Sequence, residues 1–410
     1  MKGLDRINFK VNLGKNKMVY FLFTILALLN IFLILVIRRN GYFLISFPAL
    51  LYFISSLYTF FGVILFDFSS TIQFDLFSYS REVDINSSVL YFQLCAISYM
   101  VGLIFIKKAN ATQSLNYIIP MSQSTLLIMV MLWFLIYIPS YGLDNIIERQ
   151  IYIPDFNFRL GVILATIVLP VSSFCLGYIT NKLLKRTIFI IYLLVLLMTS
   201  SRAIVIFIAL YFVGGVLRTG KISVLKCIIM FVLSIWLTAF ALFARYQPVQ
   251  GFQNIIYFFT WFDLDNIQLS INYLFSFSVG VLSYAQTEGG TVSLAQIISY
   301  INPLPSGMIN FKEHENLIGA APYSAVSLLY LFAPISGIIY FSLSGFLWGK
   351  IYSGSLKSFI FSKLFICLSL IFAFMSLQYT LRASTRILYY AIFIYFLYIL
   401  VKRLAFAFRK

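Results

Sequence analysis

The sequence predicts an all-α integral membrane protein that crosses the bilayer about eleven times, with a range of roughly ten to twelve. Of its 410 residues, 61% are hydrophobic and 10% are charged, and the mean hydropathy is +0.94. A soluble domain of this length cannot bury so much apolar surface. Apolar runs long enough to span also recur along the whole chain. Residues 1–410 are therefore predicted to form a single membrane domain.

The predicted spans follow from the length of these runs, because a bilayer core requires roughly 20 helical residues per crossing. No small-residue cleavage site follows the first run, so we expect it to remain as a span rather than act as a signal peptide. Two further runs are each expected to cross twice. The single-crossing spans are 18–37, 42–66, 87–106, 117–138, 159–180, 223–244 and 323–349.

The charges alternate between the gaps that separate these runs. Acidic residues occupy every second gap: Asp67, Asp75, Glu82 and Asp84; then Asp144, Glu148 and Asp155; then Asp263, Asp265, Glu288, Glu313 and Glu315. The other gaps hold lysine and arginine, as at Arg38–Arg39, Lys107–Lys108, Lys182–Arg186, Arg218–Lys221, Lys350–Lys363 and Lys402–Arg403. Basic clusters stay on the cytoplasmic side of a membrane, so the acidic gaps are predicted to lie outside.

The two termini give different indications of orientation. Residues 402–410 are basic and are predicted to be cytoplasmic. An odd number of spans then places the N-terminus outside, although residues 1–17 carry five basic residues and one acid. Either this tail lies outside despite its charge, or a re-entrant or twelfth span exists.

Several kinds of chemistry are excluded by the sequence. The net charge of +17 lies in short loops beside spans, which indicates membrane topology and contact with anionic lipids rather than nucleic acid. All four cysteines fall within apolar runs, so no disulfide framework is predicted. No nucleotide-binding glycine motif and no constellation of metal ligands appears, so neither a cofactor nor a metal is expected.

The run 187–217 is predicted to form two short helices, one crossing the membrane outward and the other returning. It is interrupted by Thr199-Ser200-Ser201-Arg202, and its flanks are both basic, so the chain must cross and return. Each leg has about 14 to 16 residues, or roughly 21–24 Å, which is shorter than the hydrocarbon core. Arg202 is therefore expected to lie below the outer surface and to face a protein cavity, because exposure to lipid is costly.

A second pair repeats this arrangement between Lys363 and Lys402. Its predicted outer tip is 381–386, where Arg382 and Arg386 share one face if the tip is helical. The outer segments use arginine, whereas the inner loops are mostly lysine. An arginine fork grips phosphate or carboxylate through two bonds, so an anionic substrate is predicted. The alternative is that these arginines extend to lipid headgroups. The candidate substrate-binding residues are Arg159, Arg202, Arg245, Arg382 and Arg386.

Residues 245–322 form the predicted large outer loop. Its many aromatic residues alternate with amides and carboxylates, a composition that suits sugar rings or, alternatively, an aromatic belt at the lipid headgroups. Near its end, His314 is the single histidine of the chain and lies between Glu313 and Glu315. Imidazole titrates near neutral pH, so any of these three side chains is a candidate proton acceptor, although a surface histidine often has no role. If this stretch is not the source of the base, the remaining candidates are Asp263 and Asp265.

These features together resemble the bacterial O-antigen polymerases (Wzy), within the wider group that includes the O-antigen ligases. The shared features are the many Phe-, Ile- and Leu-rich spans, the Thr-Ser-Ser-Arg202 tip and the large loop that ends in His314-Glu315-Asn316 and Ala321-Pro322-Tyr323-Ser324. The resemblance covers the overall topology but only scattered specific positions. Family arginines in the periplasmic loops map onto Arg202 and Arg245 and, after these, onto Arg382 and Arg386. The His-x-Asn pattern resembles the ligases more than the polymerases.

The resemblance implies a metal-independent, membrane-embedded glycosyltransferase of the GT-C type in a bacterial inner membrane, with its active face in the periplasm. Its substrates would be undecaprenyl-pyrophosphate-linked oligosaccharides, which it would polymerise into O-antigen, and a chain-length regulator would be a further partner. Three alternatives remain. They are an O-antigen ligase, a flippase or similar transporter of lipid-linked oligosaccharides, and a scaffold without catalysis. A transporter requires polar groups along a path through the membrane, whereas here the charges concentrate outside.

Overall fold

The computed structural model describes most of the chain, and the described part is almost entirely helical, which confirms the all-α prediction. The described residues are 17–65, 79–106, 122–150, 155–201, 203–219, 224–244, 247–260, 264–303, 317–318, 321–356 and 358–407.

Among the described residues up to Ala244, the chain forms nine α-helices. They are α1 (Lys17–Arg39), α2 (Phe47–Thr59), α3 (Glu82–Ile104), α4 (Gln123–Tyr141), α5 (Leu143–Ile147), α6 (Arg159–Tyr178), α7 (Lys182–Met198), α8 (Ile204–Thr219) and α9 (Val224–Ala244). A 3-10 turn (Phe43–Ile45) precedes α2, and a π-helical turn (Phe60–Leu65) continues it.

Eight more α-helices follow among the described residues from Gln253 onward. They are α10 (Gln253–Thr260), α11 (Leu264–Phe275), α12 (Phe277–Thr287), α13 (Leu294–Ile301), α14 (Ala325–Phe332), α15 (Pro334–Ser355), α16 (Phe359–Gln378) and α17 (Leu381–Ala407). Two antiparallel pairs of very short strands accompany them. They are β1 (Glu148–Arg149) with β2 (Gln250–Gly251), and β3 (Leu317–Ile318) with β4 (Ala321–Pro322).

Within the described residues, five helices are long and apolar enough to cross a membrane. They are α1, α3, α4, Phe361–Gln378 of α16 and Leu381–Leu400 of α17. Helix α6 is a sixth if its two parts, which meet at 43°, count as one span. Pro170 accounts for this bend, because proline lacks an N–H group and clashes with the carbonyl four residues before it, that of Thr166. Shorter apolar helices occur at Phe47–Gly62, Ile204–Val216 and Val232–Ala241.

The helices form two hydrophobic cores. Among the described residues, one core joins α1, α2 and α3 with α12–α17, and the other joins α4–α9 with Cys367 of α16. Glycines allow close approach in both. Gly102 of α3 faces the Ser342 carbonyl of α15, and Gly345 of α15 faces the Tyr99 carbonyl of α3, with no room for a Cβ atom at either glycine. Small residues let helix backbones meet in this way within membranes, where the hydrophobic effect does not drive helices together.

The run 187–217 folds back on itself as predicted. Tyr192 of α7 stacks on Phe207 of α8 with ring centroids 5.1 Å apart, and Phe189 lies 4.5 Å from Tyr211, so the two helices are antiparallel. They contain 17 and 16 residues, which corresponds to roughly 24–26 Å. The turn between them includes Ser200 in a left-handed conformation, with φ of 50°.

The second predicted pair is also antiparallel, but its predicted tip is wrong. Phe361 of α16 lies 4.7 Å from Tyr398 of α17, measured between ring centroids. The chain turns at 379–380 rather than at 381–386, which instead forms the first turns of α17. The Thr380 carbonyl accepts a hydrogen bond from Ala383 N at 2.9 Å, and residues 381–386 include no helix breaker. Arg382 and Arg386 therefore lie one helical turn apart on the same face, as expected for a helical tip.

Ring contacts near the two ends of α1 show at which end of the bundle this helix starts. Phe23 of α1 stacks on Phe60 at the end of α2, with ring centroids 3.7 Å apart. At the opposite end, Tyr42 contacts Tyr352 of α15 edge-on. We use "outer end" for the end of the bundle that includes residue 60 and the predicted outer segments. The start of α1 lies at the outer end, as an odd number of spans requires.

Residues 245–322 are the predicted large outer loop, and their described part consists mainly of helices packed against the outer end. Tyr58 of α2 donates to Asn272 Oδ1 of α11 at 2.6 Å. Gln378 Nε2 of α16 donates to the Tyr273 and Leu274 carbonyls at 3.0 and 3.1 Å. Helix α12 is almost wholly buried. Most described aromatic side chains of this segment are buried or half-buried, whereas Phe252 and Phe259 are exposed.

Candidate functional site

The predicted site residues differ in how far the structure describes them. His314, Glu313, Glu315, Arg202 and Arg245 lie outside the described residues, so their proposed roles stay predictions. Asp263, one of the two alternative candidates for the base, also lies outside the described residues. Arg159, Arg382 and Arg386 are described, as are the chain neighbours of most of the others. The contacts of these neighbours therefore define the candidate site.

A buried arginine organises one part of the outer end. Arg149 of β1 is only 5% exposed. Its Nη1 donates to the Met198 carbonyl at 2.8 Å and to the Asn145 carbonyl at 3.3 Å. Its Nη2 donates to Gln250 Oε1 at 2.9 Å and to Ser200 Oγ at 3.3 Å. The guanidinium thus joins the segment after α4, the turn after α7 and the segment after α9.

Asn254 of α10 completes this cluster. Its side chain is fully buried, and Nδ2 donates to the Leu197 and Met198 carbonyls at 3.1 Å each and to Ser200 Oγ at 3.0 Å. The last carbonyls of a helix have no partner within the helix, and a cation there is favoured by the helix dipole. Asn254 and Arg149 therefore cap the end of α7 and hold the left-handed turn at Ser200. We call Arg149, Ser200, Gln250 and Asn254 the Arg149 cluster.

The Arg149 cluster brings together the chain neighbours of two predicted site residues. Ser200 lies two positions before Arg202, and Gln250 lies five positions after Arg245. Ser200 Oγ is 3.4 Å from Gln250 Oε1. Two outer segments that are 50 residues apart in sequence thus meet through these side chains. Arg149 belongs to the arginines of the predicted outer segments but was not a predicted site residue, and nothing in the sequence marks Gln250 or Asn254.

A second buried arginine lies at the start of α17. Arg382 is only 3% exposed, and its Nη1 donates to the Ser299 carbonyl at 2.6 Å and to the Asn302 carbonyl at 3.3 Å. Tyr389, two turns further along, donates to the Ile301 carbonyl at 2.7 Å. Arg382 thus caps the end of α13 through one guanidinium nitrogen. This structural role was not predicted from the sequence. Arg386 is half-buried on the same face of α17.

Arg159 is placed differently. It is exposed at the first residue of α6, and no hydrogen bond recorded among the described residues joins it to either buried arginine. The structure therefore brings the neighbours of Arg202 and Arg245 together, whereas it leaves Arg159 apart from them.

A third polar group links the start of α3 to the end of α12. Arg81 Nε donates to Asp84 Oδ2 at 2.6 Å, and Thr287 Oγ1 donates to the same oxygen at 2.8 Å. Ser87 Oγ donates to Gln286 Oε1 at 2.6 Å. The carboxylate in the first turn of α3 is also favoured by the helix dipole. These contacts fix α12, and with it the middle of the long outer segment, against the outer end.

The long segment leaves the outer end near α16 and α17. The β3–β4 hairpin begins two residues after Glu315 in the sequence. Beyond it, Tyr323 is half-buried, and burial, with the nearby Tyr284 hydroxyl and Glu288 carboxylate, raises the pKa of its phenol. Ala325 N donates to the Tyr379 carbonyl at 3.2 Å, three residues before Arg382. The segment that follows His314 is therefore joined to the start of α17.

Neither metal-ligating groups among the described residues nor comparisons with known proteins assign a function to the site. No group of three or more metal-ligating side chains occurs among the described residues. Comparisons with protein-family models, with curated proteins and with solved structures found no match.

Proposed function

We propose that this protein polymerises undecaprenyl-pyrophosphate-linked oligosaccharide units into O-antigen polysaccharide at the periplasmic face of a bacterial inner membrane. The observation that carries the proposal is the Arg149 cluster, which joins the segments that carry Arg202 and Arg245 at one end of the bundle. Arginine suits the pyrophosphate of a lipid-linked donor, because its planar fork binds phosphate through two parallel bonds.

The proposed topology has eleven spans. They are α1, α2 with its π-helical turn, α3, α4, α6, α7, α8, α9, α15, α16 and α17. The segments α5 with β1, α10–α13 and the α7–α8 turn then lie on the periplasmic side of the membrane, and the basic gaps lie in the cytoplasm. Helices α7 and α8 are shorter than a full crossing requires, which favours a thinned or recessed outer surface beside the Arg149 cluster.

The proposed reaction transfers a glycan from one lipid carrier to another glycan. A hydroxyl of the acceptor unit attacks the anomeric carbon of the donor, its proton passes to His314, Glu313 or Glu315, and undecaprenyl pyrophosphate leaves. Negative charge grows on the pyrophosphate in the transition state, where Arg202 and Arg245 would stabilise it. Breaking the bond between the anomeric carbon and the pyrophosphate supplies the driving force, so no nucleotide is consumed.

A reconstituted assay tests the proposal. The purified protein in liposomes is incubated with lipid-linked units extracted from a strain that lacks this gene. We expect a ladder of lipid-linked glycans that grows by one repeat unit per step and is unaffected by EDTA, because the chemistry proposed needs no metal. The ladder is measured on a gel of released glycans.

The same assay separates the alternatives. An O-antigen ligase, which the His314-Glu315-Asn316 pattern favours as second candidate, would give no ladder until lipid A core is added, and would then attach single units to it. A transporter would move labelled units across the liposome membrane without forming any new glycosidic bond. Either result would replace the proposed function.

The identity of the proton acceptor gives a separate prediction. If His314 is the base, His314→Ala cells should carry single units on lipid A core but no longer chains, because ligation by the cell's own ligase continues. If a glutamate is the base, His314→Gln should keep much of the polymer, whereas Glu313→Gln or Glu315→Gln should lose it. Imidazole titrates near the working pH, which favours His314.

The lipopolysaccharide ladder on a gel measures this outcome, with protein amounts compared by immunoblot. Normal chain lengths in His314→Ala and in both glutamate variants would exclude this stretch as the source of the base. Asp263 and Asp265 would then be the next candidates.

A further inference from the structure

Helix α10 presents a row of exposed apolar side chains at the outer end. Phe252, directly before it, is 54% exposed, Ile256 is 46% exposed and Phe259 is 80% exposed. Spacings of four and three residues place all three on one face of the helix. Ile147 of α5 is also exposed and adjoins this face, because its carbonyl accepts the hydrogen bond of Phe252 N at 2.6 Å.

The opposite face of α10 is fixed to the bundle. Asn254 donates its amide protons to the end of α7, as described above. Phe258 packs edge-on against Phe240 and Trp236 of α9, with ring centroids 5.2 and 6.4 Å away. The exposed face of α10 therefore points away from the bundle in a defined direction.

The contacts with α9 give the depth of α10. Phe240 and Trp236 lie roughly 6 Å and 12 Å below the end of α9 at Ala244, at 1.5 Å per residue. Helix α10 thus lies beside the outer part of α9 rather than above it.

The direction of α10 follows from the surface of α9. Its exposed side chains Leu225, Ile229 and Val232 form a stripe that the same helical spacing continues to Trp236. Such a stripe of large exposed apolar residues on a membrane helix faces lipid. Since Phe258 covers Trp236, α10 lies across the lipid-facing stripe.

We propose that α10 is an interfacial helix whose face formed by Phe252, Ile256 and Phe259 is embedded among the acyl chains of the outer leaflet. Its depth beside α9 and its position on the lipid-facing stripe identify phospholipid acyl chains as the occupant. An amphipathic helix that lies in the interface plane buries its apolar face in this way. The polar side of α10 faces the Arg149 cluster, which places that cluster at the edge of the bilayer. The proposal rests on the proposed membrane crossing by α9 but not on the proposed reaction.

Thiol reactivity in nanodiscs tests the proposal, because both faces of the bilayer are then accessible. A charged maleimide reacts with thiolates in water and not with thiols among acyl chains. The variants are Phe259→Cys and Ile256→Cys. The matched control is Val83→Cys, whose native side chain is 75% exposed among the charges at the start of α3. Although Phe259 is at least as exposed as Val83, Phe259→Cys is expected to react at least tenfold more slowly.

The unmodified protein gives the background, to which Cys95, Cys175 and Cys367 should contribute little because they are buried. Labelling after denaturation in SDS gives the total thiol. Equal labelling rates for Phe259→Cys and Val83→Cys would overturn the proposal, because α10 would then face water. Ile256→Cys provides the same comparison if Phe259→Cys does not fold.

A second measurement identifies what covers the face. Phe259→Cys and Ile256→Cys are labelled with the small, membrane-permeant monobromobimane and incorporated into nanodiscs with phospholipids brominated along the acyl chain. We expect fluorescence to fall at least twofold relative to nanodiscs without bromine. Unchanged fluorescence together with slow maleimide labelling would show that protein covers the face, for instance a second copy of this chain, and would overturn the assignment to lipid.

Discussion

Replacing Arg202 or Arg245 by lysine is expected to reduce polymer formation by about 100-fold, which is the effect of losing one fixed donor from a charge-stabilising site. Lysine keeps the positive charge but cannot grip a phosphate through two parallel bonds. If the charge alone mattered, the substitution would have little effect. The measurement is the initial rate of ladder growth in the reconstituted assay, normalised to the amount of folded protein.

Arg81→Lys is the matched control for both substitutions. Arg81 also lies at the outer end, but its side chain is 66% exposed and pairs with Asp84, so its replacement should leave the rate within about twofold, as for surface ion pairs generally. Full-length ladders from both Arg202→Lys and Arg245→Lys would limit these arginines to contact with lipid headgroups. A complete loss in Arg81→Lys as well would indicate that any lysine at the outer end disturbs the protein.

The organisation of the helices was largely predictable because it depends on properties that the sequence contains directly. Run length and hydropathy identify helices that can cross a bilayer. The basic flanks of 187–217 predicted that this run returns, and the antiparallel contacts of Tyr192 with Phe207 confirm it. The structure also places the start of α1 at the outer end, although the basic charge of residues 1–17 alone favours the opposite side.

The helices within the long outer segment were not predicted, because they are short and depend on tertiary contacts. Isolated helices of 8 to 12 residues, the lengths of α10–α13, are barely stable in water. Here Asn272, Gln378 and Thr287 hold their ends through hydrogen bonds to residues far away in the sequence. No local pattern encodes such partners, so hydropathy alone suggested a loop.

The roles of the arginines were difficult to assign for a related reason. An arginine guanidinium can donate to backbone carbonyls as well as to phosphate. The fold decides which of these acceptors lies within reach. Arg382, predicted from its sequence position to bind substrate, donates to the Ser299 and Asn302 carbonyls. Burial and an outer position therefore do not separate a capping arginine from a binding arginine. A substitution has to separate them by its effect on stability.

Arg149 offers the sharpest test of a capping role. Arg149→Ala would leave the Met198 carbonyl, Gln250 Oε1 and the Tyr141 ring without their shared cation, which lies 5.8 Å from the ring centroid. Hydrogen bonds from a charged group contribute about 1.5–3 kcal/mol each, whereas the neutral donors that remain, Asn254 on the Met198 carbonyl and Ser200 on Gln250 Oε1, contribute less. We expect the free energy of unfolding to fall by about 3 kcal/mol in mixed micelles titrated with SDS. Arg81→Ala removes a side chain that is 66% exposed and leaves Asp84 the hydrogen bond from Thr287 Oγ1, so it should cost about 1 kcal/mol or less.

A double-mutant cycle with Gln250→Ala shows whether the loss arises in the cluster itself. Because Arg149 Nη2 and Gln250 Oε1 share a hydrogen bond of 2.9 Å, the double variant should lose less stability than the two single variants added together. We expect a difference of about 1 kcal/mol, which is typical of side chains in direct contact. Additive losses would mean that the two residues act separately, and the cluster would then not hold the segments beside Arg202 and Arg245 together. Coupled losses would explain why a basic side chain is buried at the end of α7: there it fixes the turn that precedes Arg202.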